Sequence, residues 1–426
     1  MGLQKSREWG NSMEKEKTLT RRKFLVRAAQ GATSVAALPL IGMRRADTQE
    51  KPAEENNAVA GKKPITRVLG RTGIEIPIVN MGVMNADNPA LVRRAFESGM
   101  RLFDTAAHYQ RGRNEEMVGS VLRELKARDQ AVIVTKVFLP PPQREIPAGQ
   151  VKAFFLKTAE ESLRRLKTDH VDVLFSHNVW TVDYLKNPGV LEALQQLKKQ
   201  GKTRFVGFST HMAMAECLDA AAGMGFYDVA LASFNYSFHD YVPLHQALAK
   251  AAAAGMGLMA MKTQCQQDWY REEMPPELQA FYGGQVMHPA LLKWALRHDF
   301  IACAVPGFVT FQQMEVDWAC AFGIEYTPEE RKFLEDRGVK LAMAAVCRRC
   351  GACASTCPRG ADVPELVRAH MYAFSYGNPG HARQTLDVIP AGRGLDLCRD
   401  CDNCRAGCAG RVQVARRIGQ LKEAYA

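Results

Sequence analysis

At 426 residues, with 47% hydrophobic and 24% charged residues, the chain exceeds one ordinary domain and has the composition of a globular protein able to bury a full core. Its formal net charge of +11 is not read as a nucleic-acid signal. Residues 346–426 hold twelve Lys and Arg against seven Asp and Glu, but no basic run interleaved with aromatics that would track a phosphate backbone.

Near the N-terminus, Thr20-Arg21-Arg22-Lys23-Phe24-Leu25 heads a modestly apolar run ending at Met43. The pattern resembles a twin-arginine export signal, set against a frayed basic tail or a membrane helix. Arg27, Gln30, Thr33 and Ser34 weaken a spanning helix, because each polar group costs free energy in hydrocarbon. No small-x-small cleavage site follows the run, since Val35-Ala36-Ala37 falls early, so an uncleaved signal would serve as an anchor. No cysteine precedes Cys217, which argues against lipid attachment nearby. Residues 1–46 are assigned to the signal and residues 47–65, which are polar, to a disordered linker. The resemblance implies passage through a twin-arginine translocase, already folded, to the periplasm or another exported location.

From residue 66 short apolar runs alternate with helical patterns. Residues 66–77 read as a hairpin turning at Thr72-Gly73. Strand candidates follow around 79–84, in RLFDTA, AVIVTKV, VDVLFSH, TRFVGFST, VALASFN and GLMAMKT, and in IACAVPG. Stretches such as ALVRRAFESGM and VKAFFLKTAEESLRRLK, with apolar residues three and four apart, lie between them. Eight strand–helix units predict a closed (β/α)8 barrel over residues 66–326. A doubly wound open sheet is the alternative, but NMGVMNAD offers only one glycine where such a fold wants a phosphate loop.

Chemistry in such a barrel sits at the C-terminal ends of the strands. Those ends carry Asp104 with Tyr109 just beyond, then Lys136, then His177. The stretch FDTAAHYQRGRNEEMVG, with VIVTKV and DVLFSH, resembles the aldo/keto reductase family over residues 66–325. The resemblance implies that Asp104, Tyr109, Lys136 and His177 are catalytic and that a small carbonyl or alcohol is the substrate. A phenol of pKa about 10 releases a proton poorly at neutral pH, and a nearby Lys136 ammonium is expected to lower it. Asp104 would hold Lys136 charged, and His177 would orient the carbonyl. Singly, Asp104 reads as a cap, Lys136 as surface and His177 as a satisfied buried histidine.

The resemblance also implies NADP or NAD, held by Ser209, Thr210, Met261, Lys262 and Gly307. Thr210 stands where the family has Asn, and Met261 where an aromatic usually stacks on nicotinamide. VPGFVTFQQMEVD contains no Lys or Arg to grip a 2′-phosphate.

Cys347, Cys350, Cys353 and Cys357 are spaced Cys-x2-Cys-x2-Cys-x3-Cys with Pro358 next, and Cys398, Cys401, Cys404 and Cys408 repeat the spacing. This run resembles that of 4Fe–4S ferredoxins and implies two clusters. Zinc usually takes pairs, leaving a third cysteine surplus, and disulfides pair poorly among so many neighbours. In two-cluster ferredoxins the runs exchange their fourth cysteines. That implies Cys347, Cys350, Cys353 and Cys408 on one cluster, and Cys398, Cys401, Cys404 and Cys357 on the other. Arg348, Arg349, Arg399 and Arg405 lie between the ligands and would compensate cluster charge or dock an acidic one-electron redox protein.

Cys217, Cys265, Cys303 and Cys320 read as core thiols. Residues 327–345 predict one linking helix, capped by Thr327 with Glu330 three on. Residues 346–426 predict a small α-rich ferredoxin-like domain, with a helix, a Gly-Asn-Pro-Gly turn and a second helix between the runs. The leading expectation is an exported oxidoreductase with an electron-transfer module. The other is a redox sensor or electron-transfer protein whose barrel binds nicotinamide without turnover.

Overall fold

The computed structural model describes residues 62–140, 146–264, 287–343, 346–401, 403–410 and 412–425. The expected signal and Cys265 lie outside the described residues, as does the linker up to residue 61. Ile65, placed at the end of that linker, already belongs to the hairpin: it donates its N–H to the Ala321 carbonyl and accepts from the Ile78 N–H.

Strands β1 (Thr66–Val68) and β2 (Glu75–Pro77) pair antiparallel around a short turn at Gly70–Thr72. Eight strands then run parallel in chain order: β3 (Met81–Gly82), β4 (Leu102–Asp104), β5 (Val132–Phe138), β6 (Val171–Val179), β7 (Thr203–Thr210), β8 (Val229–Ser233), β9 (Gly257–Met261) and β10 (Cys303–Ala304). The ring closes between its first and last strands. Asn80 N–H reaches the Ala304 carbonyl at 2.9 Å, and Gly82 N–H reaches the Pro306 carbonyl at 2.9 Å. The approach at Gly82 admits no side chain, since a Cβ there would lie 2.7 Å from the Val305 oxygen.

Strand periodicity of two sorts the side chains. Leu102, Val132, Val134, Val173, Phe175, Val229, Leu231 and Met259 share the barrel interior, with Leu69 and Ile76 of the hairpin in the same cluster. Phe103, Ile133, Val137 and Leu174 face the surrounding helices. Asp104, Lys136, His177, Ser209 and Met261 continue the inward parity, at or close to the C-terminal end of their strands. The alternation that packs the interior therefore also delivers these side chains to one end of it.

The predicted linking helix is two helices, Pro328–Glu335 and Arg337–Met343. The Thr327–Glu330 capping box forms as expected. The break falls at Asp336, whose backbone is extended and whose carboxylate accepts from the N–H groups of Gly338 and Val339. An acidic side chain that caps a new turn competes with continuation of the old one.

The C-terminal module holds helices Val363–His370, Pro379–Asp387 and Val414–Tyr425. The first continues into a wider turn at Met371–Ser375, and Asn378 caps the second, with Pro379 at its first position. Ala361, Val363, Leu366, Ile418 and Leu421 form its core together with cysteines of both runs. Residues 57–426 form one compact unit, and the module sits over the strand ends. Asn378 Nδ2 donates to Asn85 Oδ1 at 3.0 Å, and Arg348 pairs with Asp240 at 2.7 Å.

Candidate active site

Asp104 ends β4, Lys136 lies near the end of β5 and His177 near the end of β6. Tyr109 opens the turn after β4, where Gln110 and Arg111 adopt left-handed conformations. Lys136 Nζ donates to Asp104 Oδ2 and to the Thr105 carbonyl, each at 2.7 Å. Both side chains are buried, so desolvation opposes both charges and each is partly restored by the other. The Lys136 ammonium lies over the Tyr109 ring, 5.1 Å from its centroid, and the His177 ring meets Tyr109 edge-on at 5.7 Å.

The expected lowering of the Tyr109 pKa is reversed. Burial, followed by the Asp104 carboxylate, pushes the phenol well above its ordinary value. The cation faces the ring, and the pair it forms with Asp104 offsets its field. Tyr109 thus keeps its proton through neutral pH. Burial, then neighbouring His108 and Lys136, holds His177 well below the ordinary histidine range, so its imidazole is neutral.

The four expected catalytic side chains are therefore together. The expected cofactor residues divide. Met261, Lys262 and Gly307 line a cavity of about 200 Å³ that also reaches Asp104 and Tyr109. Ser209 and Thr210 are fully buried behind the His177 strand. Ser209 Oγ accepts the Asn178 N–H at 2.9 Å, while the Thr210 hydroxyl donates to the Met212 carbonyl. Thr210 has therefore spent the proton it could have offered a carboxamide. Thr263 Oγ1 and His288 Nδ1, both buried and unpaired, line the same cavity as Lys262. That combination of one cation and open polar atoms fits the nicotinamide end of a dinucleotide.

Lys262 has a left-handed backbone (φ 57°), and burial lowers its pKa to about 8. Its ammonium lies 3.7 Å from Met371 Sδ and over the rings of Tyr372 and Tyr376, all from the C-terminal module. Behind it a narrow cleft is lined by Lys262, Arg349, Arg368 and Cys347. Arg349 and Arg368 share the buried carboxylate of Glu365, through Arg349 Nη2–Oε1 at 2.8 Å and Arg368 Nε–Oε2 at 2.9 Å.

The two cysteine runs interleave. The Cys353 thiol is pushed up to about 11 by burial and then by Cys347, Cys408 and Cys350. Cys398 is raised by burial and then by Cys357, Cys404 and Cys401. None of the eight is disulfide-bonded. Arg349 Nε and Nη1 are buried without partners beside Cys347. Two quartets of thiols and an open guanidinium edge fit an anionic group larger than one ion. Arg348 is paired at the surface to Asp240, and Arg349 is buried on Glu365. Arg399 and Arg405 are exposed. Cys217, Cys303 and Cys320 are buried, as expected.

A second cavity, of about 400 Å³, opens on Tyr109 and His177 from the other side. Sequence reasoning missed most of its wall: His108, Asn178, His211, Arg368, Tyr372 and His381. His108, Asn178 and His211 each adjoin a residue singled out above, and polarity at strand ends could have flagged them. The last three come from the module, more than 180 residues beyond the catalytic strands, and no local pattern marks them.

Residues 79–267 match the Aldo/keto reductase family, and residues 346–413 match the 4Fe-4S dicluster domain. L-galactose dehydrogenase of Arabidopsis thaliana is 25% identical over 300 residues, covering 63% of this chain and 92% of that protein. Pyridoxal 4-dehydrogenase of Microbacterium luteolum is 28% identical over 238 residues, covering 45% and 68%. The holo form of an aldo-keto reductase from Bacillus halodurans superposes with a TM-score of 0.52 at 20% identity, covering 65% of this chain and 100% of that one. An aldo/keto reductase from Klebsiella pneumoniae in complex with NADP and acetate superposes with a TM-score of 0.50 at 25% identity, covering 64% and 95%.

Proposed function

From an aldo/keto reductase domain joined in one chain to a 4Fe–4S dicluster domain, we propose an exported, nicotinamide-dependent oxidoreductase that interconverts a small carbonyl compound and its alcohol. The observation that carries the reading is that Asp104, Tyr109 and His177 line two adjoining cavities, with Lys136 bonded to Asp104 and set over the Tyr109 ring behind them. Bound nicotinamide supplies or accepts hydride at the carbonyl carbon. Tyr109, kept protonated, gives its proton to the carbonyl oxygen as charge develops there, and neutral His177 orients that oxygen. Lys136, fixed by Asp104, lies against the face of the Tyr109 ring and holds the phenol in place. The module excludes water by covering the strand ends, leaving Tyr109 8% and His177 5% exposed.

Lys262 is the only Lys or Arg lining the smaller cavity among the described residues, so it is assigned the cofactor's phosphate charge. NADP is preferred to NAD on the strength of the relative solved with NADP. Two clusters, each storing one electron, would be held by Cys347, Cys350, Cys353 and Cys408, and by Cys398, Cys401, Cys404 and Cys357. An external one-electron redox protein would meet the second of them at exposed Arg399 and Arg405. Export and a periplasmic location rest on the Thr20-Arg21-Arg22-Lys23-Phe24-Leu25 pattern and the apolar run that follows it.

The test is fluorescence titration of anaerobically purified protein with NADPH and NADH, followed by turnover with simple aldehydes. Tight binding with turnover supports the enzyme. Binding without turnover supports the second reading, a redox sensor, which is favoured by one observation: Ser375 and Tyr376 of the module line the cofactor cavity itself.

A further inference from the structure

We propose that the two clusters are graded in reduction potential, the higher belonging to the first cysteine run, and that buried Arg349, with Lys262 and Arg368 beside it, sets the difference. An electron delivered to either cluster then comes to rest on the one whose Cys347 shares a cleft with Lys262. The proposal takes Cys347, Cys350 and Cys353 as ligands of one cluster, as above, and holds whichever run supplies the fourth thiolate.

The two runs share their spacing but differ in charge at one position. Between its first two cysteines the first run has Arg348-Arg349, and the second has Arg399-Asp400. Arg349 is 8% exposed, whereas Asp400 is exposed to solvent. A buried charge acts at a lower effective dielectric than a solvated one, so the cation outweighs the carboxylate. Both charges favour the reduced, more negative state on the first run over the second.

Arg349 is fixed in place. Its backbone is left-handed (φ 56°), a conformation that residues other than glycine rarely adopt. Its Nη2 donates to Glu365 Oε1 at 2.8 Å, while Nε and Nη1 are buried without partners. Arg349, Arg368, Lys262 and Cys347 line one cleft of about 20 Å³, room for a water and too small for a phosphate. Glu365 serves both guanidiniums, and Asp362, the next carboxylate, also answers to Arg393. Three buried cations therefore share one buried carboxylate. Buried charge is costly without a counter-charge, and an anionic group on Cys347 supplies one. Lys262 also lines the cofactor cavity, whereas Arg349 does not, so Arg349 is the cation that belongs to the first run.

The second run is poorer in cations. Half-buried Lys422 donates to the Cys401 carbonyl at 3.2 Å, and Asp400 next to it offsets that charge. The runs touch, since the Gly407 N–H donates to Thr356 Oγ1 at 3.0 Å, which gives electrons a short path between them. Each transfer moves one electron and breaks no bond, and the reductant is the external one-electron redox protein proposed above.

The test is anaerobic redox titration of the full chain at pH 7, read by electron paramagnetic resonance, with iron analysis and circular dichroism on every sample. The native protein should give two midpoints. Arg349→Met should shift the higher one against reduction by at least about tenfold, or about 59 mV for one electron, and leave the lower one in place. A unit charge at an effective dielectric of about 20 stays worth more than tenfold out to about 10 Å. Arg349→Lys keeps the charge and should keep the midpoint near its native value. Lys262→Met should lower the same midpoint by at least about threefold, and it decides the matter if Arg349→Met fails to assemble its clusters. A single native midpoint, a shift confined to the lower midpoint, equal shifts of both, or a higher midpoint that no variant moves overturns the proposal. Iron short of two clusters in the native protein would instead overturn the dicluster assignment on which the gradient rests.

Discussion

Glu365 is the buried carboxylate on which the module's interior charge depends. Its two oxygens take the guanidiniums of Arg349 and Arg368, with all three side chains at most 10% exposed. Lys262 adds a further buried cation nearby. Glu365→Gln keeps the shape and removes the charge. Breaking one side of a buried ion pair costs about 3–5 kcal/mol, because the surviving charge stays desolvated. One carboxylate serves both guanidiniums, so the loss is counted once, at about 4 kcal/mol. At about 2–4 °C per kcal/mol in domains of 150–250 residues, this lowers the melting temperature by about 8 °C or more.

The assay is anaerobic melting followed by circular dichroism and by iron–sulfur absorbance, for the native chain and the variant. Against the burial penalty, Arg368 and Arg349 hold the Glu365 carboxyl below its ordinary range. A carboxyl lowered in the folded state contributes stability above its unfolded pKa, and that contribution fades as pH falls through the folded value. Glu365→Gln should therefore be most harmful at neutral pH, and the gap between the two proteins should narrow in acid. Replacing all three charges, with Arg349→Met, Glu365→Leu and Arg368→Met together, should recover much of the loss, since no unpaired charge remains. A shift below about 2 °C for Glu365→Gln, or a triple variant weaker than the single one, would refute the reasoning.

The barrel was legible because one periodicity does two things. In Val132–Phe138 the residues that pack the interior, Val132 and Val134, share parity with Lys136, and Val173 and Phe175 share it with His177. A sequence that shows the alternation also shows which polar residues end up inside. The Tyr109 pKa was not legible, because its sign depends on desolvation by a module that lies beyond residue 346 and on where the Lys136 ammonium meets the ring. The linking helix was misread at Asp336, where propensity along the helix lost to a local cap at Gly338 and Val339. The pairing of Arg348 was not legible either, because its partner, Asp240, is 108 residues away.

Four further outcomes follow from the site. Tyr109→Phe should slow carbonyl reduction by about two to four orders of magnitude in single-turnover kinetics, and near-normal rates would remove the acid assigned here. Cys357→Ala should abolish, by electron paramagnetic resonance, the cluster assigned to Cys398, Cys401 and Cys404, and loss confined to the other cluster would reject the exchanged wiring. Arg21→Lys with Arg22→Lys should leave the protein in the cytoplasm by cell fractionation, and unchanged export would reject the signal. The last concerns how the two halves communicate. Hydride carries two electrons together and each cluster takes one, and the chain has no glycine motif at a strand–helix turn that would hold a flavin to divide the pair. Lys262, Arg349 and Cys347 line one cleft beside the cofactor cavity, so what separates the halves is electron count rather than distance. NADPH or NADH alone should therefore leave the iron–sulfur band unbleached on the turnover timescale in stopped-flow absorbance, while a one-electron donor bleaches it quickly. Fast, stoichiometric bleaching by nicotinamide in flavin-free protein would show that the pair is divided within this chain, and would turn attention to the Lys262–Arg349 cleft as the place where that occurs.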